Sequence, residues 1–155
     1  MAARQILFGV GLLLHALSFL MVATGDPKGP MGRTMGHECA YLTVEASIAS
    51  TPFSPNWDPR DPVLLYVSTL TSGLINPVFL FYVALASLKR MPRTVSGLKF
   101  VLPAMIPFCW LVFHYLEVYP REGHVVWVIG MLLVLSSKWK PVSTSTHATL
   151  IKAHQ

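Results

Sequence analysis

The sequence is short of charge. Only 12% of its 155 residues are Asp, Glu, Lys or Arg, about half of the roughly 25% that soluble domains carry. Hydrophobic residues make up 53% of the chain, and the mean hydropathy is +0.53. This content excludes an intrinsically disordered protein, and the length permits one domain. The apolar residues stand in long runs, which predicts a protein folded in a lipid bilayer.

Cysteines and catalytic motifs are also scarce. Cys39 and Cys109 are the two cysteines, too few for a disulfide framework, and no CxxC or Cys/His metal spacing occurs. Cys109 lies in an apolar run and Cys39 in a polar loop, so we expect two unpaired free thiols. The sequence has no GxSxG elbow, phosphate-binding glycine loop, HExxH motif or paired catalytic carboxylates. It therefore predicts no catalytic residues and no metal site, and disfavours an enzyme.

The chain is basic, with a formal charge of +5 and a pI of about 9.5. A nucleic-acid binder needs its Lys and Arg residues gathered on one face. Here they stand at the ends of apolar runs, where they act as topology signals. The predicted partners are therefore the lipid bilayer and other membrane subunits, and no nucleic acid.

Four apolar segments predict an all-α integral membrane protein, an up-down bundle of transmembrane helices at residues 6–23, 63–88, 100–119 and 122–139. A hydrocarbon core about 30 Å thick needs roughly 20 helical residues. The fourth segment is short and uses flanking cations that reach the interface. The first could instead be a secretory signal, but its 18 residues exceed the roughly 7 to 15 of a signal core and lack a clean cleavage site.

The loops predict the orientation. Residues 1–5, 89–99 and 138–155 hold eight of the twelve Lys and Arg residues, which places both termini in the cytoplasm. All seven acidic residues fall on the opposite side or at its edge. We expect a bacterial plasma membrane, a membrane domain over residues 1–140 and a flexible cytoplasmic tail over residues 141–155.

The long outer loop, residues 24–62, is predicted to contain a short helix over residues 37–50. Apolar and acidic residues recur there at helical intervals, namely Tyr41, Leu42, Glu45, Ile48 and Ala49. We expect this helix to lie on the bundle or along the interface. Phe53 and Trp57 are expected to anchor the following stretch near the lipid headgroups.

Two stripes of small and polar residues mark helix-packing faces. The first segment carries Gly11, His15 and Ser18, and the second carries Ser68, Thr69, Ser72, Gly73 and Asn76. Small hydroxyl-bearing residues let neighbouring helices approach closely and share hydrogen bonds. We therefore expect the two stripes to face each other.

Histidines inside apolar segments are the sharpest functional candidates, because an ionisable group in a membrane is expensive. His15 and His114 come from different helices, as the axial ligands of a b-type haem would. Alternatively, His114 and Glu117, one turn apart, handle protons or a metal ion. The third interpretation, which we favour, is that these histidines are structural and hydrogen-bonded.

The preferred function is a structural or accessory component of a membrane complex. The alternative is a redox subunit that binds b-type haem or quinone through His15 and His114. A small transporter is the second alternative, but it predicts inverted repeats, and residues 1–88 show no convincing similarity to residues 89–155.

Overall fold

The computed structural model describes residues 2–25, 33–49, 63–88 and 91–137. Most of these residues are helical, in the elements α1 (Ala2–Ser18), α2 (Gly36–Ala49), α3 (Val63–Ser87), α4 (Pro92–Tyr115) and α5 (Glu122–Ser136). Two short strands, β1 (Val22–Gly25) and β2 (Arg33–Met35), pair antiparallel. Helices α3 and α4 are long and apolar enough to cross a membrane, whereas α1 and α5 are shorter apolar helices. The prediction of a mainly helical chain is confirmed, and the strands were not predicted.

The helix boundaries follow local backbone chemistry. Helix α3 closely matches the predicted segment, but α4 begins at Pro92 instead of residue 100. Proline suits the first turn of a helix because no hydrogen-bond partner exists there for its missing N–H group. Residues 92–99, which the prediction placed in the loop between the second and third segments, are therefore helical.

Helix α4 ends at Tyr115 and not at residue 119, because Glu117 adopts a left-handed conformation with φ 55°. The Glu117 N–H donates to the carbonyl of His114, and the Val118 N–H donates to the carbonyl of Phe113. This is the Schellman arrangement, which satisfies the last carbonyls of a helix.

The strands cover one end of the bundle. The chain leaves α1 early and enters β1, so the first predicted segment is helical only as far as Ser18. Gly25 N–H donates to the Tyr119 carbonyl, and Arg121 N–H donates to the Ala23 carbonyl. The turn between α4 and α5 is thereby tied to the strands, and we call this end of the molecule the covered end.

Helix α1 packs closely against α5. A Cβ atom added to Gly130 would lie 2.6 Å from the His15 backbone nitrogen and 2.8 Å from the Gly11 carbonyl oxygen. Glycines allow this approach because no side chain separates the two backbones. The close partner of the first stripe is therefore α5, and the prediction that it faces the second stripe is wrong.

Helix α2 occupies the position that the prediction gave to α1. A Cβ atom on Gly73 of α3 would clash with Ser47, and the Ser47 hydroxyl donates to the Thr69 carbonyl at 2.7 Å. The predicted loop helix is confirmed, but its packing side carries Cys39, Thr43 and Ser47. Its large apolar residues, among them Tyr41, Leu42 and Ile48, are exposed.

The helices place unlike charges at opposite ends. Lys99 Nζ donates to the Ser137 carbonyl at 3.3 Å and so joins the start of α4 to the end of α5, far from the covered end. Among the described residues, the basic end carries Arg4, Arg93 and Lys99 and no acidic residue. Glu38, Glu45, Glu117 and Glu122 all lie at or beside the covered end.

The core lies where α3, α4 and α5 meet. Its fully buried members include Ile75, Phe79 and Tyr82 from α3, Leu102 from α4 and Met131 from α5. This core lies between the helices, and the outward faces of α1, α3, α4 and α5 are apolar as well.

Candidate functional site

A small cavity lies beneath the covered end, between the end of α1 and helices α2 to α5. Its volume is about 50 Å³, enough for a few water molecules at most. Ligand pockets of drug size measure roughly 300 to 1,000 Å³. The polar and reactive groups of its wall are the thiols of Cys39 and Cys109, the hydroxyls of Ser18, Thr43 and Ser72, the amide of Asn76 and the rings of His124 and Trp127.

His124 is the central polar group of this wall. Trp110 Nε1–H donates to His124 Nε2 at 2.9 Å, so Nε2 is an acceptor and the neutral ring carries its proton on Nδ1. The ring stacks on Trp127 with a centroid distance of 5.2 Å and an interplanar angle of 27°. It also meets the edge of Phe113 at 4.8 Å.

Trp127 extends the arrangement to α3. Its Nε1–H donates to Asn76 Oδ1 at 2.9 Å. The centroid of its ring lies 6.1 Å from that of the His15 ring on α1. The result is a continuous row of aromatic and polar groups from Trp110 through His124 and Trp127 to His15, which we call the buried row.

His15 is enclosed by aromatic rings. It is 5% exposed and lies 4.3 Å from the Phe79 ring and 5.4 Å from the Phe19 ring, measured between centroids. Its Nδ1 atom has no hydrogen-bond partner among the described residues. The hydrogen bond expected of a structural histidine is made with the Trp127 backbone, whereas the hydroxyls of Ser68 and Thr69 donate to carbonyls of their own helix.

The structure does not bring His15 and His114 together. His114 is exposed on α4, and its neighbouring ring is that of Tyr115. The buried histidine that shares a neighbour with His15 is His124, since both rings flank Trp127. The cavity of about 50 Å³ is lined by His124 and by neither His15 nor His114, so these histidines do not enclose a space that fits a bis-histidine haem.

His114 and Glu117 do not form an enclosed pair either. Both side chains are exposed, and Glu117 lies beyond the end of α4 in the left-handed turn. They therefore do not share the helix face that their spacing predicted. Within the described parts of the chain, no three His, Cys, Asp or Glu side chains are placed to hold a metal ion.

The predicted packing residues lie at helix contacts, but most of their hydroxyls do not cross between helices. Ser18 donates to the His15 carbonyl and Ser68 to the Leu64 carbonyl, each at 2.6 Å. Hydroxyl groups inside helices commonly bond to the preceding turn in this way. Bonds between helices come from Ser47 on α2, which the sequence analysis did not single out, and from the predicted packing residue Asn76, which accepts from Trp127.

The two cysteines meet at the cavity. Cys39 from α2 is partly buried and Cys109 from α4 is 3% exposed, and both are free thiols. Burial, with a smaller contribution from the nearby Cys109, raises the pKa of the Cys39 thiol to about 11 against the opposing effect of a hydrogen bond with Thr24. The expectation of free thiols is confirmed, but the inference that the two lie in separate surroundings is wrong.

Sequence reasoning missed His124, Trp110 and Trp127. His124 lay within the fourth predicted segment, residues 122–139, and was not singled out. Its spacing of three residues from Trp127 places both on one helix face, which was the available signal. The partner on α4 could not be identified without the tertiary structure.

The chain matches no known protein-family model, and no curated protein or solved structure is significantly similar to it. The functional argument therefore depends on the chemistry of the described residues alone.

Proposed function

We propose that this chain is an integral membrane protein whose helices α1, α3, α4 and α5 cross a bacterial plasma membrane, with both termini in the cytoplasm. Its role is that of a structural or accessory component of a membrane complex. It binds its partners through side chains on the outside of the bundle and carries out no chemistry of its own.

The apolar exterior is the observation that carries this proposal. Large hydrophobic side chains are exposed along every proposed span, including Leu13 on α1, Leu80 on α3, Phe100 on α4 and Ile129 on α5. Monomeric soluble proteins rarely expose apolar patches beyond a few hundred Å². A bilayer or a membrane subunit covers such faces without the cost of hydrating them.

The separation of charge supports the orientation. Three of the described cations, Arg4, Arg93 and Lys99, lie at one end of the bundle, and cytoplasmic loops carry the excess of Lys and Arg. The end covered by the strands holds the described acidic residues and would face the outside.

The small size of the interior cavity supports an accessory role over catalysis within the bundle or transport through it. The cavity of about 50 Å³ holds no metabolite-sized substrate. The buried row is held by hydrogen bonds within the protein, from Trp110 to His124 and from Trp127 to Asn76. Such groups stabilise one packing arrangement of the helices, as a fixed building block of a larger assembly requires.

The test is a deletion paired with native purification. The tagged chain is extracted from its own membranes in mild detergent and separated by native electrophoresis. We expect a stoichiometric membrane partner, and we expect that partner's complex to be depleted in membranes lacking the chain. Migration as a lone chain, with every membrane complex unchanged on deletion, would contradict the proposal.

A further inference from the structure

The cavity wall carries a pair of thiols that the helix packing draws together. Cys39 is supplied by α2 and Cys109 by α4, and each lines the same space of about 50 Å³. The two residues are 70 positions apart in the sequence. A bond between them would therefore join a loop helix to the bundle.

Both thiols are held in place by their surroundings. The Cys109 sulfur lies 3.8 Å from the Met105 carbonyl oxygen and in contact with the Ser72 hydroxyl. Cys39 sits in the second turn of α2, whose start is fixed because Gly36 and His37 donate backbone hydrogen bonds to Met21 and Phe19.

The electrostatics agree with this proximity. The Cys109 thiol contributes to the raised pKa of Cys39 through a coulombic interaction, which weakens as the distance between the two groups grows. The thiol of Cys39 has the greater access to solvent, and that of Cys109 is enclosed. Cys39 is thus the more accessible of two largely buried thiols, and a reagent reaches it before it reaches Cys109.

We propose that Cys39 and Cys109 form a reversible disulfide bond across the cavity, which fastens α2 to α4. The oxidant is a small-molecule disulfide, RSSR, acting by thiol–disulfide exchange. The inference does not depend on the accessory role proposed above.

The exchange proceeds in two balanced steps. The Cys39 thiolate attacks one sulfur of RSSR, forms a mixed disulfide and expels RS⁻, which takes up the proton lost by Cys39. The Cys109 sulfur then loses its proton and attacks the Cys39 sulfur, and the second RS⁻ leaves and is protonated. The protein loses two electrons and two protons, and RSSR is reduced to two RSH.

The bond would have a structural effect. It would close a loop of chain between α2 and α4 and so restrict the unfolded state. It would also join two helices covalently at the cavity wall. Oxidised protein is therefore expected to melt at a higher temperature than reduced protein, and the difference is expected to vanish in Cys109→Ser.

The experiment uses the full chain in detergent, reduced, desalted and then exposed to oxidised glutathione in mildly alkaline buffer. Remaining thiols are blocked with N-ethylmaleimide before mass spectrometry. We expect a monomer lighter by two hydrogens that carries neither maleimide nor glutathione, and a linked peptide pair containing Cys39 and Cys109. In Cys109→Ser, we expect the reaction to stop at glutathione attached to Cys39.

A displaced thiol is the matched control. Leu42 lies on the exposed side of α2, so Cys39→Ser combined with Leu42→Cys keeps two thiols and should form no internal bond. The helix content and elution volume of each variant verify that it is folded. Three results for the wild-type protein would overturn the proposal: two attached maleimides, a retained glutathione, or a disulfide only to a second chain. An internal disulfide formed to the same extent in the displaced variant would also overturn it.

Discussion

Single hydrogen bonds fix the side chains of the buried row. Trp110 is 54% exposed, yet its indole N–H donates to the buried His124 ring at 2.9 Å. Its ring therefore contributes little packing, while its donor satisfies an acceptor on a side chain that is only 7% exposed. Loss of such a donor is costly because the buried partner is left unpaired.

We predict that Trp110→Phe lowers the free energy of unfolding by about 1 kcal/mol, the typical value of such a bond. Tyr115→Phe is the control, because Tyr115 is also an exposed aromatic residue of α4. Unfolding by a denaturing detergent measures both. Equal stability of the two variants would show that the bond to His124 contributes nothing.

The Cys39 thiol has a pH dependence that can be measured. Because its pKa is raised from 9.0 to about 11, the reactive thiolate is a small minority at pH 8 and grows as the pH rises towards 11. We predict that iodoacetamide alkylates Cys39 about a hundredfold more slowly at pH 8 than an ordinary thiol. This factor follows because a pKa raised by about two units lowers the thiolate fraction about a hundredfold.

The control for this measurement is the exposed thiol of Leu42→Cys in a Cys39→Ser background. Its alkylation rate should level off near pH 9, whereas that of Cys39 should continue to increase. A plateau for Cys39 at the same pH as the control would refute the burial of its thiol.

At the scale of elements, the glycines decide which helices meet. Gly11 and Gly130 place the backbones of α1 and α5 in contact, whereas a Cβ atom added to Gly9, on the same helix as Gly11, would meet nothing within 4 Å. Both positions are glycines in the apolar sequence of α1, and they differ in whether another helix packs against them.

We predict opposite effects of alanine at the two positions. Gly9→Ala should stabilise the protein by up to about 1 kcal/mol, because alanine is the better helix former. Gly11→Ala should destabilise it, because the new methyl group would lie 2.8 Å from the Gly130 carbonyl oxygen and force the backbones apart. Thermal unfolding of both variants in detergent provides the comparison, and a shift of the same sign in both would reject the α1–α5 contact.

The elements themselves were largely predictable, and their partners were not. Helix α3 and the loop helix α2 follow from apolar runs and helical spacing, which are local properties of the sequence. The choice of α5 over α3 as the close partner of α1 depended on Gly130, which lies in an apolar run with no polar residue to mark its face. The candidate site was missed for the same reason, since the hydrogen bond that distinguishes His124 comes from Trp110 on another helix.

The whole molecule is expected to have one orientation in the membrane. Tyr41 is exposed beside the covered end, and Ser96 is exposed near the basic end of α4. Single cysteines at these positions, with Cys39 and Cys109 replaced by serine, report the two sides of the bilayer.

We predict that an impermeant maleimide labels Tyr41→Cys in intact cells and labels Ser96→Cys only after permeabilisation, because the basic end is cytoplasmic. The reverse pattern would establish the opposite orientation. Labelling of both in intact cells would show that the bundle does not span the membrane.

The close contact between α1 and α5 has a consequence for biosynthesis. More than a hundred residues separate Ser18, the end of α1, from Ser136, the end of α5. Ribosomes add roughly 5 to 20 residues per second, so several seconds pass between the completion of the two helices. During this interval the Gly11 face of α1 cannot pack against α5, because α5 has not yet been synthesised. The first helix made is thus among the last to find its neighbour, and a nascent chain stalled before Glu122 would present that face to the insertion machinery.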